Sequence, residues 1–204
     1  MDVAIELADR DGLTALSMRA LGRALGVEAM SLYNHVRDKD DLLAAMVDRV
    51  VSAIALPTGP DWRAATRARL LSAHAAFLAH GWVSALLLSR PFPGEAARRY
   101  REVTAGVLRS AGFPDPLGAR AWATLEAYLH GFTQQRLQID AGGDGRSGGP
   151  REAAATDRGA VAPGAPRPGD GMPPDGGDAM LDFAFGLDLI LEGLTRRKAK
   201  QQAP

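Results

Sequence analysis

The stretch 17–39, SMRALGRALGVEAMSLYNHVRDK, reads as two short helices joined by a tight turn and handed on to a third. Ser17 is placed to cap the first, its hydroxyl accepting a free backbone N–H. That helix spans about Met18 to Ala24 and stops at Gly26, where a residue without Cβ takes the left-handed conformation that a short inter-helix turn demands. Leu21, Ala24 and Leu25 share the face expected to be buried.

The second helix is expected over roughly Glu28 to Val36. A rotation of about 100° per residue puts Leu32 and Val36 inward and Ala29 near that edge, with Met30, Ser31, Tyr33 and Asn34 on the opposite arc. An apolar inner stripe under an outer arc of small, amide and phenol groups suits a helix laid in a DNA major groove. There Asn pairs with adenine, Ser donates or accepts, and methyl-like surface meets thymine. Arg19, early in the preceding helix, is the long cation that reaches guanine O6 and N7. Asp38 is placed to cap the next helix, and Asp40 and Asp41 in its first turn suit the positive end of the dipole. Lys39 does not, unless its ammonium rests on a DNA phosphate.

DGLTALSMRALGRALGV followed by SLYNHVRDKDDLL resembles the TetR family of bacterial one-component repressors, with the tyrosine and His35 of LYNHV and the lysine of RDK in the positions that family uses. The resemblance is close over the first fifty or so residues and general beyond them. It implies that Ser17, Arg19, Met30, Ser31, Tyr33, Asn34, His35 and Lys39, with Glu28 and Ala29 at the start of the reading helix, form the DNA-binding surface, Ser17, Tyr33 and Lys39 chiefly on phosphates. Taken singly, Tyr33 packed on the first helix and His35 as a solvated surface histidine are equally good readings.

The 204 residues are enough to bury a core, and Lys plus Arg equals Asp plus Glu at 24 each, so the balance of charge is not a nucleic-acid signature. Residues 1–50 carry one Lys and five Arg against nine acids, a net of −3, with Arg19, Arg23, Arg37 and Lys39 gathered near the groove-facing elements. This pattern describes a site-specific binder with few phosphate contacts and a modest salt slope. The absence of cysteine excludes disulfides and thiolate metal sites. No apolar run is long enough to span a bilayer and no signal-peptide pattern is present, so a cytoplasmic protein without a membrane partner is expected.

Along the chain, residues 1–11 form a helix with Ala4, Ile5, Leu7 and Ala8 inward, ended by Gly12. In the family this helix usually begins several residues earlier, often after a basic arm, which points to a truncated or mis-started N-terminus. A long helix runs from Lys39 to about Ala55, and Pro57, Gly59 and Pro60 stop it. Helices follow at 61–80, opened by Asp61, at 82–88, at 94–111 and at 117–138, the last bearing Trp122, Leu125, Leu129 and Phe132. The turn SRPFPG lies between the second and third of these. Residues 141–178 hold eleven Gly and six Pro and no aromatic residue, the composition of a flexible loop. Inside it GRSGG matches G-x-S-x-G and GDGRSG matches G-x-G-x-x-G, but neither follows a strand or opens a helix, so both read as chance. The chain recovers at Ala179 with a strongly apolar last helix, and TRRKAKQQAP reads as a basic frayed end.

The expected fold is therefore all-α: a three-helix helix-turn-helix head (1–50) joined to a larger helical regulatory and dimerisation domain (51–204), about nine helices in total. The last helix is apolar around nearly its whole circumference, so it calls for burial on two sides, its own core and a second copy of the chain. The dimerisation residues expected are Leu125, Leu129, Phe132, Phe183, Leu187, Ile190, Leu191 and Leu194, in an intermolecular four-helix bundle as in the family. Gly186 would let helices approach closely. A two-fold dimer presents two reading helices about one DNA turn apart, roughly 34–36 Å, and so addresses a near-palindromic operator.

The family resemblance also implies an apolar cavity for a small inducer, with His74, Phe77, Trp82, Phe92, Trp122, Glu126 and His130 as the ligand-binding candidates, each of which ordinary core packing also explains. Filling the cavity would separate the heads badly for DNA, a two-state shift driven by differential affinity. His74 and His80, six apart, fall on different faces and make a poor metal pair, so no metal and no cofactor is expected. Ala55 stands where the tetracycline-binding members use a histidine with Mg²⁺, which speaks against tetracycline itself. No carboxylate pair, metal cluster or nucleophile with a base stands at interpretable spacing, so the leading reading is a ligand-responsive repressor and not an enzyme. Activation instead of repression, an enzyme with an unrecognised site, and a helical dimer with a degenerate head remain open at this point.

Overall fold

The computed structural model describes residues 1–56, 59–89, 94–143 and 178–202. Phe92, the two glycine-rich motif matches and nearly all of the Gly/Pro-rich stretch lie outside the described residues. Among the described residues there are nine helices and no strand: α1 Asp2–Ala15, α2 Met18–Leu25, α3 Ala29–Leu32, α4 Lys39–Ser52, α5 Trp62–Ala79, α6 Gly81–Ser89, α7 Glu95–Ser110, α8 Asp115–Gly143 and α9 Ala179–Gln202.

The head is built from local signals. Gly12 breaks α1 with φ 77°, and Ala4, Ile5, Leu7 and Ala8 are its buried residues. Ser17 Oγ accepts the Ala20 N–H at 3.1 Å, and Gly26 closes α2 at φ 67°. Asp38 Oδ1 accepts the Asp41 N–H at 2.8 Å and opens α4. In the second half, Asp61 Oδ1 receives the Arg63 and Ala64 amides at 2.9 and 3.1 Å, starting α5.

Three expectations about element limits need correction. The reading helix does not run to Val36: α3 is one turn, Ala29–Leu32, continued by bonds from Tyr33, Asn34 and His35 to the carbonyls three residues back. Leu32 is buried and Val36 half-buried here, the Val36 N–H returning to the Leu32 carbonyl at 3.1 Å. α8 extends to Gly143, beyond the expected end, and the basic C-terminal stretch is not frayed but continues α9 to Gln202. On α2, Ala24 and Leu25 are exposed, Leu25 by 43%, while Met18, Leu21 and Gly22 face inward.

α4 packs on α7, α1 on α6, and α5 lies against α8, α9 and α7. Buried apolar side chains form one connected core from Ala4 in the head, through Met46, Val47 and Val50 on α4 and Ile54 just past its end, to Leu194 on α9. No single helix among the described residues is long and apolar enough to cross a membrane, and the apolar pair α5–α6 is bent by 106°.

Candidate DNA-reading head and regulatory interior

The turn between α2 and α3 depends on a close approach. Val27 donates its N–H to the Gly22 carbonyl at 3.0 Å, and a Cβ on Gly22 would lie 2.9 Å from the Val27 carbonyl oxygen. Only glycine lets α3 sit this near α2 without a backbone shift. The sequence reading passed over Gly22, although its place one turn before Gly26 was the available signal.

Around that turn nine of the ten residues expected at DNA are exposed: Ser17, Arg19, Glu28, Met30, Ser31, Tyr33, Asn34, His35 and Lys39, with Ala29 half-buried. Met30 is 74% and Tyr33 46% exposed, and with Leu25 and Val27 they leave apolar surface uncovered on the outside of the head. Ser31 Oγ donates to the Glu28 carbonyl at 2.7 Å, so its oxygen is left to accept; Ser17 Oγ accepts from Ala20 and keeps its own proton to donate. Lys39 Nζ donates to the Leu13 carbonyl at 3.1 Å, just past the Gly12 break, which anchors this exposed ammonium at the start of α4 and leaves two of its hydrogens to donate. Arg37 is held by the Asp41 carboxylate at 3.0 Å, and this hydrogen bond keeps the Asp41 carboxyl below its ordinary pKa.

Two carboxylates join the head to the rest of the chain. Asp9 on α1 accepts the Trp82 indole N–H at 2.7 Å and faces His80 Nδ1 at 2.9 Å. Asp48 on α4 accepts the Ala96 and Ala97 amides at 2.8 and 3.2 Å, capping α7 where the donors of a helix start are otherwise unmet. A side chain on Gly94 would collide with that carboxylate. Trp82 therefore stands at the joint between head and regulatory helices, its indole N–H engaged there.

The remaining cavity candidates meet between α5, α6 and α8. Phe77 stacks on the His130 ring at 5.4 Å; Ser84 Oγ lies 2.7 Å from His130 Nδ1, and His130 Nε2 is 3.7 Å from Glu126. Glu126 continues to Arg69 at 3.5 Å, and the Arg69 guanidinium lies over the rings of Tyr100 and Trp122 at 4.7 and 5.3 Å. Arg69 and Tyr100 were not foreseen. They share inward stripes with Thr66 and Ala73 on α5 and with Ala97 and Thr104 on α7, a spacing that would have found them.

His74 sits deeper, stacked on Phe183 at 4.1 Å with Nδ1 2.8 Å from Thr133 Oγ1. Thr133 gives its own proton to the Leu129 carbonyl at 2.6 Å, so His74 Nδ1 carries the hydrogen and Nε2 is the bare nitrogen. Burial lowers its pKa from 6.5 to about 4, against a smaller opposing contribution from the Ala179 backbone. No group of three or more His, Cys, Asp or Glu that could hold a metal occurs among the described residues.

The expected dimer residues are largely elsewhere. Leu125, Leu129, Phe183, Leu187, Leu191 and Leu194 are buried within the chain's own core, and Phe132 and Ile190 are half-buried. The apolar face that α9 leaves open is Leu181, Phe185 and Leu189, at 67%, 69% and 56% exposure. The sidedness follows from α8: Tyr128 donates its hydroxyl to the Phe183 carbonyl at 3.0 Å, directly where the missing Cβ of Gly186 makes room. Gly186 does bring two helices close, here α8 and α9 of one chain.

Residues 1–46 match the family model of bacterial regulatory proteins, tetR family, and residues 56–198 match the tetracyclin repressor-like C-terminal domain. The chain is 34% identical over 200 residues to an HTH-type transcriptional regulator of Saccharopolyspora erythraea, covering 95% of this chain and 82% of that one. It is 33% identical over 140 residues to the HTH-type transcriptional repressor DrrR1 of Streptomyces coeruleorubidus, covering 67% of this chain and 52% of that one. Among solved structures, ActR of Streptomyces coelicolor in complex with actinorhodin superposes with a TM-score of 0.72 at 25% identity, covering 97% of this chain and 95% of that one. A capped helix pair with an exposed reading turn, locked to a helical regulatory core and matched by family models over both parts, makes this chain a member of the TetR family of DNA-binding transcriptional regulators.

Proposed function

We propose that the chain is a homodimeric repressor that reads a near-palindromic operator through the exposed surface around Tyr33 and leaves it when a small aromatic compound enters the regulatory helices. The head is residues 1–50 and the regulatory and dimerisation part 51–204, working in the cytoplasm and without catalysis. Ser17, Tyr33 and Lys39 hold phosphates, while Arg19, Met30, Ser31 and Asn34 meet base edges. The observation that carries this reading is the uncovered mixed surface of Met30, Tyr33 and Asn34 on a turn whose inner side is closed by Leu32 and Gly22. The subunit contact is the Leu181, Phe185 and Leu189 stripe of α9, which meets the same stripe of a second copy. ActR with actinorhodin supports a polycyclic aromatic inducer.

The test is binding of the full chain to the DNA flanking its own gene, followed by footprinting. Saturable protection of an inverted repeat is expected, with loss of affinity on Tyr33→Ala and Lys39→Ala while helicity and the dimer persist. Equal affinity for this DNA and for random DNA, or an unchanged affinity in both variants, sinks the proposal.

A further inference from the structure

The interior between α5, α7 and α8 holds polar groups that the fold does not satisfy. Arg69 is 2% exposed, yet its single ion pair, to Glu126, is long at 3.5 Å, and Nη2 has no hydrogen-bond partner among the described residues. Thr66, one turn earlier on α5 and 2% exposed, has an unpartnered hydroxyl. Tyr100, 7% exposed, lies beside both Arg69 and Glu126, its hydroxyl near enough to interact with each but in full hydrogen-bonding geometry with neither. A guanidinium taken almost wholly out of water with one stretched partner is under-compensated, and the orphan Thr66 hydroxyl and the incompletely met Tyr100 hydroxyl add to the deficit.

The same place offers flat surface, and an open cleft adjoins it at Trp122. The rings of Tyr100 and Trp122 meet edge to face at 6.4 Å with the guanidinium against both. Trp122 also lines a cleft of about 420 Å³ between α7 and α8, whose charged walls are Arg101 and Arg109 against Asp115. An excess of positive charge at the mouth draws anions.

We infer that this site takes a planar aromatic acid: its ring slides past Trp122 from the α7–α8 cleft, and its ionised oxygens bind Arg69 Nη2 and the hydroxyls of Tyr100 and Thr66. A carboxylate or an ionised phenol supplies the same chemistry. A neutral aromatic compound leaves Arg69 as it is; an acid completes it. This inference rests on the reading of the chain as a ligand-responsive regulator and names the ligand class of its cavity.

The experiment is isothermal titration of the full-length protein with 1-hydroxy-2-naphthoate and with its neutral methyl ester. The acid is expected to bind at least tenfold more tightly. Tyr100→Phe removes only the incompletely met hydroxyl, so it should weaken the acid severalfold and the ester little, with thermal stability unchanged or raised. Arg69→Met paired with Glu126→Gln removes both charges together, avoiding an isolated buried carboxylate; it should abolish the preference for the acid while circular dichroism still shows a helical fold. Equal binding of acid and ester, no binding of either, or a preference that survives the double substitution overturns the inference. Operator binding by the same preparation without any probe tests the regulator reading separately.

Discussion

Asp9 and Trp82 meet at 2.7 Å, carboxylate to indole N–H, across the boundary between the first helix of the head and the helix that follows the bend after α5. A hydrogen bond to a charged group, itself partly solvated, contributes about 1–2 kcal/mol. Trp82→Phe keeps an aromatic side chain but loses the donor and part of the buried indole. Stability in urea should fall by at least about that amount, and amide exchange in α1 should quicken more than in α5. Unchanged protection of α1 would show that the joint carries no tension between the two parts.

Gly22 fixes how near α3 lies to α2. Gly22→Val forces a backbone shift at Val27, with a cost of about 1–3 kcal/mol that falls on the head alone. The expected result is a dimer of normal size by light scattering with no measurable operator affinity. Retained operator binding would mean that the turn adapts.

The exposed stripe on α9 separates subunit contact from core. Phe185→Glu should leave a folded monomer in sedimentation equilibrium, because Phe185 is 69% exposed in the single chain. Leu187→Glu places a charge at a site with no exposure and should unfold the protein. A dimer that withstands Phe185→Glu combined with Leu189→Glu moves the interface elsewhere.

His74 makes stability depend on pH. Its pKa is about 4 in the fold against 6.5 ordinarily, so between those values the unfolded chain binds a proton that the folded chain refuses. Stability from this group is complete above about pH 6.5 and declines as the pH falls towards 4, by roughly 3 kcal/mol at most. Urea midpoints measured from pH 7.5 to 4 should show the decline, and His74→Gln should flatten it. An equal slope in the variant assigns the acid sensitivity to the carboxylates.

Helix starts and stops were legible because their causes lie within a few residues: Ser17, Asp38 and Asp61 as caps, Gly12 and Gly26 as left-handed breaks. The outward arc of Met30, Tyr33 and Asn34 was legible for the same reason, although the winding beneath it was not, since the four-residue spacing of Leu32 and Val36 reads as unbroken α-helix. What was not legible were contacts whose partner is remote in sequence. Trp82 looked like an aromatic wall of a cavity until Asp9, 73 residues away, claimed its indole. Phe183 and Leu187 looked like subunit contacts because α9 is apolar all round, and it takes His74 on α5 and Tyr128 on α8 to decide which side turns inward. Arg69 and Tyr100 drew no notice, since neither Glu126 nor Trp122 is near them in sequence.

The capping of α7 by Asp48 makes the response of the head abrupt. If α4 swings, it either carries the start of α7 along as one crank or strips two amides of their acceptor, and every halfway tilt is uphill. Pulling the paired reading surfaces off register is then a toggle and not a dial, and the carboxylate on α4 sets how hard it must be pushed.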